Sequence, residues 1–368
     1  MQDDQPPSDG APALGKFSIL LRLGAIGAVL AAAAGGFAYA GGWFSPGALT
    51  QNKIIDTFQA VDGVHEGFRR NHAKGLCASA TFASNGAGVP LSKASVFAAG
   101  ASVPVIARFS IAGGQPYAAD SAMSVKSFGL RFLLPGGEEW RTAMIPIPVF
   151  PVNTPEAFWE QLDASRPDPA TGKPDPAKMQ AFAAKHPETA KAIELIKAGP
   201  RSAGFSDTTF HGLNAFRFTN AGGQTVAVRW SVVPEQAAPA NAALGTDKNA
   251  LFDALIRQQA QQPVKWRLVV TVGQPGDPTN DATLPWPADR QQVDVGTLTI
   301  NSLVDEDDGD CTSVNYDPLV LPDGIQPSDD PLLSARSAAY SVSYTRRAGE
   351  TKPPSAVTAS DVRKGEGS

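Results

Sequence analysis

The sequence predicts an α+β fold, in which an eight-stranded antiparallel β-barrel is surrounded by helices and preceded by an N-terminal transmembrane or signal helix. Three observations predict it. Short apolar runs separated by turn residues occur in two groups of four, helical periodicity fills the interval between the groups, and one long uncharged run lies near the N-terminus. The 368 residues suffice for one large barrel domain.

Four segments follow from this organisation. We expect a disordered N-terminus over 1–16, a transmembrane anchor or signal segment over 17–45, one barrel domain over 46–349 and a disordered tail over 350–368. The net charge of −5 is spread without basic clusters. We therefore expect no nucleic-acid partner.

The N-terminal run extends from Leu23 to Phe44 without a charged residue. Its twenty-two residues would form a helix of about 33 Å, which is long enough to cross a bilayer. Ala and Gly make it only weakly hydrophobic, and Ala38-Tyr39-Ala40 is a small-x-small cleavage site. An uncleaved anchor in the inner membrane, a cleaved signal and a buried core helix stay open. The first two place the barrel on the exported, periplasmic side.

The barrel domain begins with TQNKIIDTFQAV, whose apolar residues share one face and predict a short amphipathic helix. The first group of strands is predicted at CASATFA, PVIARFSIA, KSFGLRFLL and IPVFPV. A helical interval then runs from TPEAFWEQL to Gly199-Pro200.

The second group of strands starts in FHGLNAFRFTNAGGQTVAVRWSVVP, which we read as two strands joined at Gly222-Gly223. After a helix near DKNALFDALIRQQAQ come the strands VKWRLVVTV and QVDVGTLTI. The last element is a helix, DDPLLSARSAAYSVSYTRRA, with Asp330 as N-cap and Pro331 at its first position.

The two cysteines, Cys77 and Cys311, are too few for a disulfide scaffold. An exported compartment permits one bond between them. We favour two buried free thiols over that pairing.

Five motifs occur in a fixed order: RxxHAKG, ARFS, KSFGLRF, PVF with a Phe eight residues later, and RxxxY in the last helix. From about residue 50 to 348 this series resembles the haem catalase family. The short chain, its export signal and the ending DPLVLPDGI...DPLLxxRSxxY resemble the catalase-related peroxidases. The resemblance implies a catalase-like barrel, haem of the b type, a peroxide substrate and an unidentified small reductant.

By this resemblance His72 is the distal acid/base. Histidine, with an unperturbed pKa near 6.5, can take a proton from one peroxide oxygen and deliver it to the other. Arg108 and Ser110 project to the same side of a strand, so that Ser110 can meet the imidazole. The alternative for His72 is a satisfied core or surface histidine.

The resemblance also implies that Tyr340 is the iron ligand. A phenol ionises near pH 10, so a cation must hold it in the charged form, and Arg336 lies one turn earlier on the same helix face. An ordinary core tyrosine is the alternative.

Five further residues are implied in haem binding. Arg69, Arg108 and Arg347 match the arginines of the haem propionates, and each is otherwise a solvated surface charge. Phe150 and Phe158 match the aromatic residues that pack on the macrocycle, and are otherwise core.

One departure from the family concerns the distal side of the haem. Catalases carry an asparagine just before the PVF segment, where this chain has Ile145. Unless Asn153 or another group moves in, a donor that orients peroxide is missing. This departure favours peroxidase action on small reductants or organic hydroperoxides, with weak catalase activity.

Other interpretations differ in class. The spacing of His65, Glu66 and His72 does not match a zinc motif, and we read His186 and His211 as structural. Two alternatives stay open: a lipid hydroperoxide isomerase of the allene oxide synthase kind, and a non-catalytic barrel that binds haem or lipid. Without the family's C-terminal domain we expect no NADPH site, and a monomer or homodimer.

Overall fold

The computed structural model describes residues 16–40, 49–121, 124–237, 247–360 and 362. It divides into two units, residues 1–50 and 51–368. In the first unit, helix α1 (Lys16–Ala40) contains a stretch, Ile19–Tyr39, that is long and apolar enough to cross a membrane. A signal sequence passes the same test. The predicted disordered residues 1–15, and 41–45 of the predicted anchor, lie outside the described residues.

The second unit holds six described helices and ten described strands. The helices are α2 (Gln51–Asp62), α3 (Pro155–Ala164), α4 (Pro176–Lys185), α5 (Pro187–Ala198), α6 (Ala250–Gln261) and α7 (Pro331–Ala348). The strands are β1 (Gly75–Ser84), β2 (Ser102–Ile111), β3 (Lys126–Leu133), β4 (Glu139–Met144), β5 (Phe210–His211), β6 (Phe216–Thr219), β7 (Thr225–Pro234), β8 (Lys265–Val272), β9 (Gln292–Val304) and β10 (Ile325–Pro327).

These strands form one antiparallel sheet in the order β10-β6-β7-β8-β9-β1-β2-β3-β4, with β5 paired to β7. An antiparallel bridge between Ile145 and His211 joins the end of β4 to β5, so the sheet curls back on itself. Seven of the eight longer strands lie at predicted strands, β4 is the exception, and β5 and β10 are short additions. The predicted α+β fold with an antiparallel barrel and surrounding helices is confirmed.

The fourth strand was predicted at the wrong place. The structure puts β4 at Glu139–Met144, and IPVFPV is a loop that follows it. Pro146, Pro148 and Pro151 explain the difference, because proline has no N–H to donate to a neighbouring strand. The sequence EWRTAM shows the alternation of a half-buried strand, with Trp140 and Met144 fully buried.

The barrel interior is filled with aromatic side chains. Phe109 stacks on Phe128 with ring centroids 4.3 Å apart, and Phe132 stacks on Trp140 at 4.8 Å. Burying one such ring contributes about 1.5–3 kcal/mol to stability. The interior is therefore a packed core, and a ligand must bind outside it.

The strand pleat assigns polar residues to the outer face of the barrel. Phe109 and Phe128 point inward, and their neighbours Arg108, Ser110 and Gly129 point outward. Helices α2, α3 and α7 contact one another over this outer face. The space between the sheet and these helices is where the site lies.

Two expectations differ from the structure. Cys77 and Cys311 form a disulfide, not two free thiols, because the turn after β9 brings Cys311 against β1. The predicted disordered tail from 350 instead packs on the barrel over residues 350–360, where Val357 is fully buried. Residues 363–368 of that tail lie outside the described residues.

Candidate functional site

A cavity of about 310 Å³ lies between the outer face of β2–β4 and helices α2, α3 and α7. Of the nine site residues predicted from the sequence, eight line it: His72, Arg69, Arg108, Ser110, Phe150, Phe158, Arg336 and Tyr340. The ninth, Arg347, lies on α7 beside the cavity and shares a hydrogen-bond acceptor with Arg69. The structure thus brings together residues that are nearly 280 positions apart in the chain.

The backbone at His72 is in the left-handed region, with φ of 57°. A non-glycine residue there costs about 1 kcal/mol or more, so its surroundings must hold it. Asn71 does so: its Oδ1 accepts hydrogen bonds from the N–H groups of His72 (2.9 Å) and Gly113 (2.8 Å). The His72 carbonyl accepts a further bond from Arg108 Nη2 at 2.9 Å.

The His72 imidazole lines the cavity, and its Nδ1 is buried without a hydrogen-bond partner in the described structure. Burial, reinforced by the positive charges of Arg108 and Arg69, lowers the pKa of His72 to about 3. The ring is therefore neutral at physiological pH and free to accept a proton. Ser110 shares the cavity but makes no hydrogen bond to this Nδ1.

The arginines beside the cavity are held by backbone carbonyls. Arg69 Nη2 donates to Cys311 O (3.1 Å) and Val314 O (2.8 Å). Arg347 donates to the carbonyls of Thr312 and Val314. The disulfide-linked turn thus supplies acceptors for both guanidinium groups.

Arg108 makes a buried ion pair, in which its Nε donates to Glu306 at 2.6 Å. Glu306 is the carboxylate facing three guanidinium groups, those of Arg69, Arg108 and Arg347. Burial and the charge of Arg108 lower the pKa of Arg69, and lower that of Arg347 to about 10. This excess of positive charge favours an anionic ligand.

Tyr340 and Arg336 lie one turn apart on α7, with the guanidinium carbon 5.9 Å from the ring centroid. Arg336 donates to Asn214 Oδ1 and to the Ala143 carbonyl at 3.0 Å. Asn214 in turn donates to Asp330, the residue that caps α7. This chain of contacts fixes the cation beside the phenol.

Among the cavity residues that were not predicted from the sequence are Asn214 and Tyr316. Tyr316 is 5% exposed, its hydroxyl has no partner in the described structure, and burial raises its pKa. Its ring lies on Gly129, where an added Cβ would come within 3.0 Å of it. That glycine, inside the strand KSFGLRF, is a sequence signal for a close approach at this position.

The apolar wall includes three phenylalanines. Phe150 and Phe158 have centroids 5.8 Å apart, and Phe58 of α2 lies 5.9 Å from Phe158. Ile145 also lines the cavity, whereas Asn153 does not and donates to Asp281 at 3.0 Å. Asn153 therefore does not take the position of the missing distal amide.

The other two histidines that we read as structural lie outside the cavity lining. His211 is mostly buried in β5, and burial lowers its pKa to about 4. His186 hydrogen-bonds to Glu160 (2.9 Å) and Glu188 (3.0 Å) near the helix surface.

A sequence model of the family described as Catalase matches residues 41–354. The chain belongs to the catalase family. A catalase-related peroxidase from Synechococcus elongatus is 41% identical over 315 residues, covering 83% of this chain and 90% of that protein. Another, from Mycolicibacterium paratuberculosis, is 34% identical over 307 residues, covering 82% and 96%. The predicted branch and enzyme class, a peroxidase among the oxidoreductases, are confirmed.

Solved catalase structures show the same fold. A bacterial catalase superposes with a TM-score of 0.66 at 22% identity, covering 77% of this chain and 58% of the catalase. Catalase A from Saccharomyces cerevisiae gives 0.69 at 18% identity, covering 77% and 61%. This catalase-family chain thus spans about three fifths of the length of those two catalases.

Proposed function

We propose that this chain is a haem b-dependent peroxidase that reduces hydrogen peroxide or organic hydroperoxides, with His72 as acid/base and Tyr340 as iron ligand. The observation that carries the proposal is the shared cavity. It joins a neutral imidazole, on the loop before β1, to a phenol on α7 that has a guanidinium group beside it.

The cavity residues fit a haem. Three buried polar atoms without partners in the described structure lie in or beside the cavity: His72 Nδ1, the Tyr316 hydroxyl and Arg347 Nε. The surplus guanidinium charge matches two propionate carboxylates, and Phe150 and Phe158 offer apolar faces to a macrocycle.

Haem, when bound, would supply the iron chemistry that breaks the peroxide O–O bond. Tyr340 would hold that iron through its phenol oxygen, and the guanidinium group of Arg336 would stabilise negative charge on this oxygen. The contacts of Arg336 with Asn214 and the Ala143 carbonyl keep the guanidinium group in place beside the Tyr340 ring.

His72 moves the proton. Its neutral ring accepts the proton from one peroxide oxygen and returns it to the other, so that water or an alcohol leaves. A small reductant then supplies two electrons and, with them, two protons, so that the second peroxide oxygen leaves as water. Ile145 gives the peroxide no hydrogen bond and makes the wall apolar, which favours organic hydroperoxides and leaves only weak catalase activity.

The variant His72→Ala tests this proposal. We expect it to bind haem as the wild type does and to lose peroxide consumption by a factor of about 10² or more, because a positioned acid/base contributes that much. Haem content is measured by absorption, and peroxide loss by its own ultraviolet absorption. Peroxide consumption by the wild type no faster than that of free haem, and unaltered by His72→Ala, would instead support the non-catalytic barrel.

The isomerase alternative is separated by its products. With a fatty acid hydroperoxide, the proposed peroxidase yields more than one equivalent of the alcohol per enzyme only when a reductant is present. An isomerase of the allene oxide synthase kind converts the same hydroperoxide without one. Chromatography of the products with and without reductant distinguishes the two activities.

We further propose that the barrel acts on the exported, periplasmic side, tethered to the inner membrane by α1, as a monomer or homodimer. The apolar stretch Ile19–Tyr39 and the Cys77–Cys311 disulfide support export, because disulfides persist in oxidising compartments.

A further inference from the structure

The carboxylate of Glu350 contacts the loop that carries His72. Glu350 follows Gly349, the C-terminal cap of α7. It accepts two hydrogen bonds from the Arg70 guanidinium group, one to each oxygen, and a third from the Gly67 N–H at 2.7 Å. A bidentate, charge-assisted pair of this kind is among the stronger polar contacts in proteins.

Arg70 is tied to the helix of Tyr340 at a second point. Its backbone N–H donates to Ser343 Oγ at 3.4 Å, and Ser343 lies three residues after Tyr340 on α7. The Arg70 side chain is buried and also donates to the Phe68 carbonyl. The loop before β1 is thus hydrogen-bonded to Ser343 on α7 and to Glu350, which directly follows the C-terminal cap of that helix.

The segment after Glu350 is itself held in place. Lys352 pairs with Asp307 and lies 4.9 Å from the ring of Phe68. Tyr117 donates to the Pro354 carbonyl at 2.7 Å, and Val357 is fully buried. Glu350 is therefore fixed from both sides along the chain.

We propose that the Glu350–Arg70 pair is a clasp that positions His72 relative to α7. The left-handed backbone of His72 persists only when its surroundings constrain it, and Arg70 is two residues away. Glu350 is a positioning residue, since it acts through Arg70 and does not line the cavity. The acid/base role of His72, for which this position matters, rests on the proposed function.

The test is Glu350→Gln in the full chain, first without haem. Glutamine keeps the size but removes the charge and turns an amide donor toward Arg70. We expect the amides of 67–75 to exchange hydrogen about ten-fold faster, because the lost charged pair corresponds to roughly one factor of ten or more. Hydrogen exchange with mass spectrometry measures this, and amides of the barrel strands should be unchanged.

Asp277→Asn is the matched control. Asp277 likewise binds an arginine, Arg290, through both oxygens and accepts a backbone N–H, that of Gln274, but it lies outside the cavity lining. We expect no change in the exchange of 67–75. Equal exchange of this loop in both variants, or faster exchange spread over the whole domain by Glu350→Gln, overturns the clasp.

Arg70→Lys provides a second variant, because lysine keeps the positive charge but cannot make the bidentate contact with Glu350. We expect the same localised increase in exchange. With haem bound, both variants should slow peroxide consumption while the Soret position, which reports on the iron ligand, stays the same. If the wild type binds no haem and the exchange result still holds, the clasp stands and the proposed function fails.

Discussion

At the scale of single residues, the types and spacing of residues in two motifs indicated which side chains form the candidate site. RxxHAKG and RxxxY contain His72 and Tyr340, and the structure places both beside one cavity. Asn214 and Tyr316 were missed, because each stands in a loop whose path no periodicity predicts. Their contribution depends on the fold: an amide that holds Arg336, and a buried hydroxyl without a partner.

Loss of the Tyr316 hydroxyl should have opposite effects on the stability of the apoprotein and on the retention of haem. Without haem it is buried and unpaired, so Tyr316→Phe should stabilise the apoprotein by about 1 kcal/mol. We expect this hydroxyl to donate to a carboxylate of bound haem, so the same variant should release haem several-fold faster. Urea unfolding measures the first effect, and haem transfer to apomyoglobin measures the second.

Tyr117→Phe serves as the control, because the Tyr117 hydroxyl already donates to Pro354 O and lies outside the cavity lining. Its loss should slightly destabilise the apoprotein and leave haem release unchanged. If Tyr316→Phe destabilises the apoprotein and releases haem at the wild-type rate, the hydroxyl has no role in binding.

The pKa of His72 predicts an unusual pH dependence. Burial favours the neutral ring and lowers the pKa to about 3, so the base is lost only as the pH falls through that value. Peroxide consumption should therefore stay level from pH 7 to about pH 4 in stopped-flow pH-jump measurements. A decline centred near pH 6.5 would show an imidazole exposed to bulk water.

At the scale of elements, alternation and capping predicted most of the secondary structure. Helix α7 begins where Asp330 and Pro331 indicate, and Asp330 accepts a hydrogen bond from the Leu332 N–H. IPVFPV was misjudged because its apolar residues outweighed its prolines. The local sequence around the two cysteines did not predict the disulfide. Cys77 and Cys311 are 234 residues apart and come together only through the pairing of β1 with β9.

The disulfide should stabilise both the barrel and the arginine acceptors. Cys77→Ser should lower the free energy of unfolding by about 2–4 kcal/mol. It should also speed haem release, because the turn that bears Cys311 provides carbonyls to Arg69 and Arg347. Urea unfolding with and without a reducing agent measures the first effect. Reductant should reproduce the loss in the wild type and leave the variant unaffected.

At the scale of the whole molecule, a packed barrel interior directs the ligand to the outer face. The sequence predicted the barrel but not that the ligand site lies on its outer face. The alternation of apolar and polar residues along a strand distinguishes two faces of a sheet, but it does not show which face the helices cover. The tail illustrates the same limit: its polar composition predicted disorder, yet Val357 and Ala359 are buried in the core. Burial of so few apolar side chains leaves no periodic pattern.

Absorption spectra of the wild type and of Tyr340→Phe, each mixed with haem, show whether haem is bound through Tyr340. We expect a Soret band with phenolate charge-transfer features in the wild type. In Tyr340→Phe these features should be lost, because no phenol oxygen reaches the iron. Identical spectra for the two proteins, or no Soret band after addition of haem to the wild type, would show that haem is not bound through Tyr340.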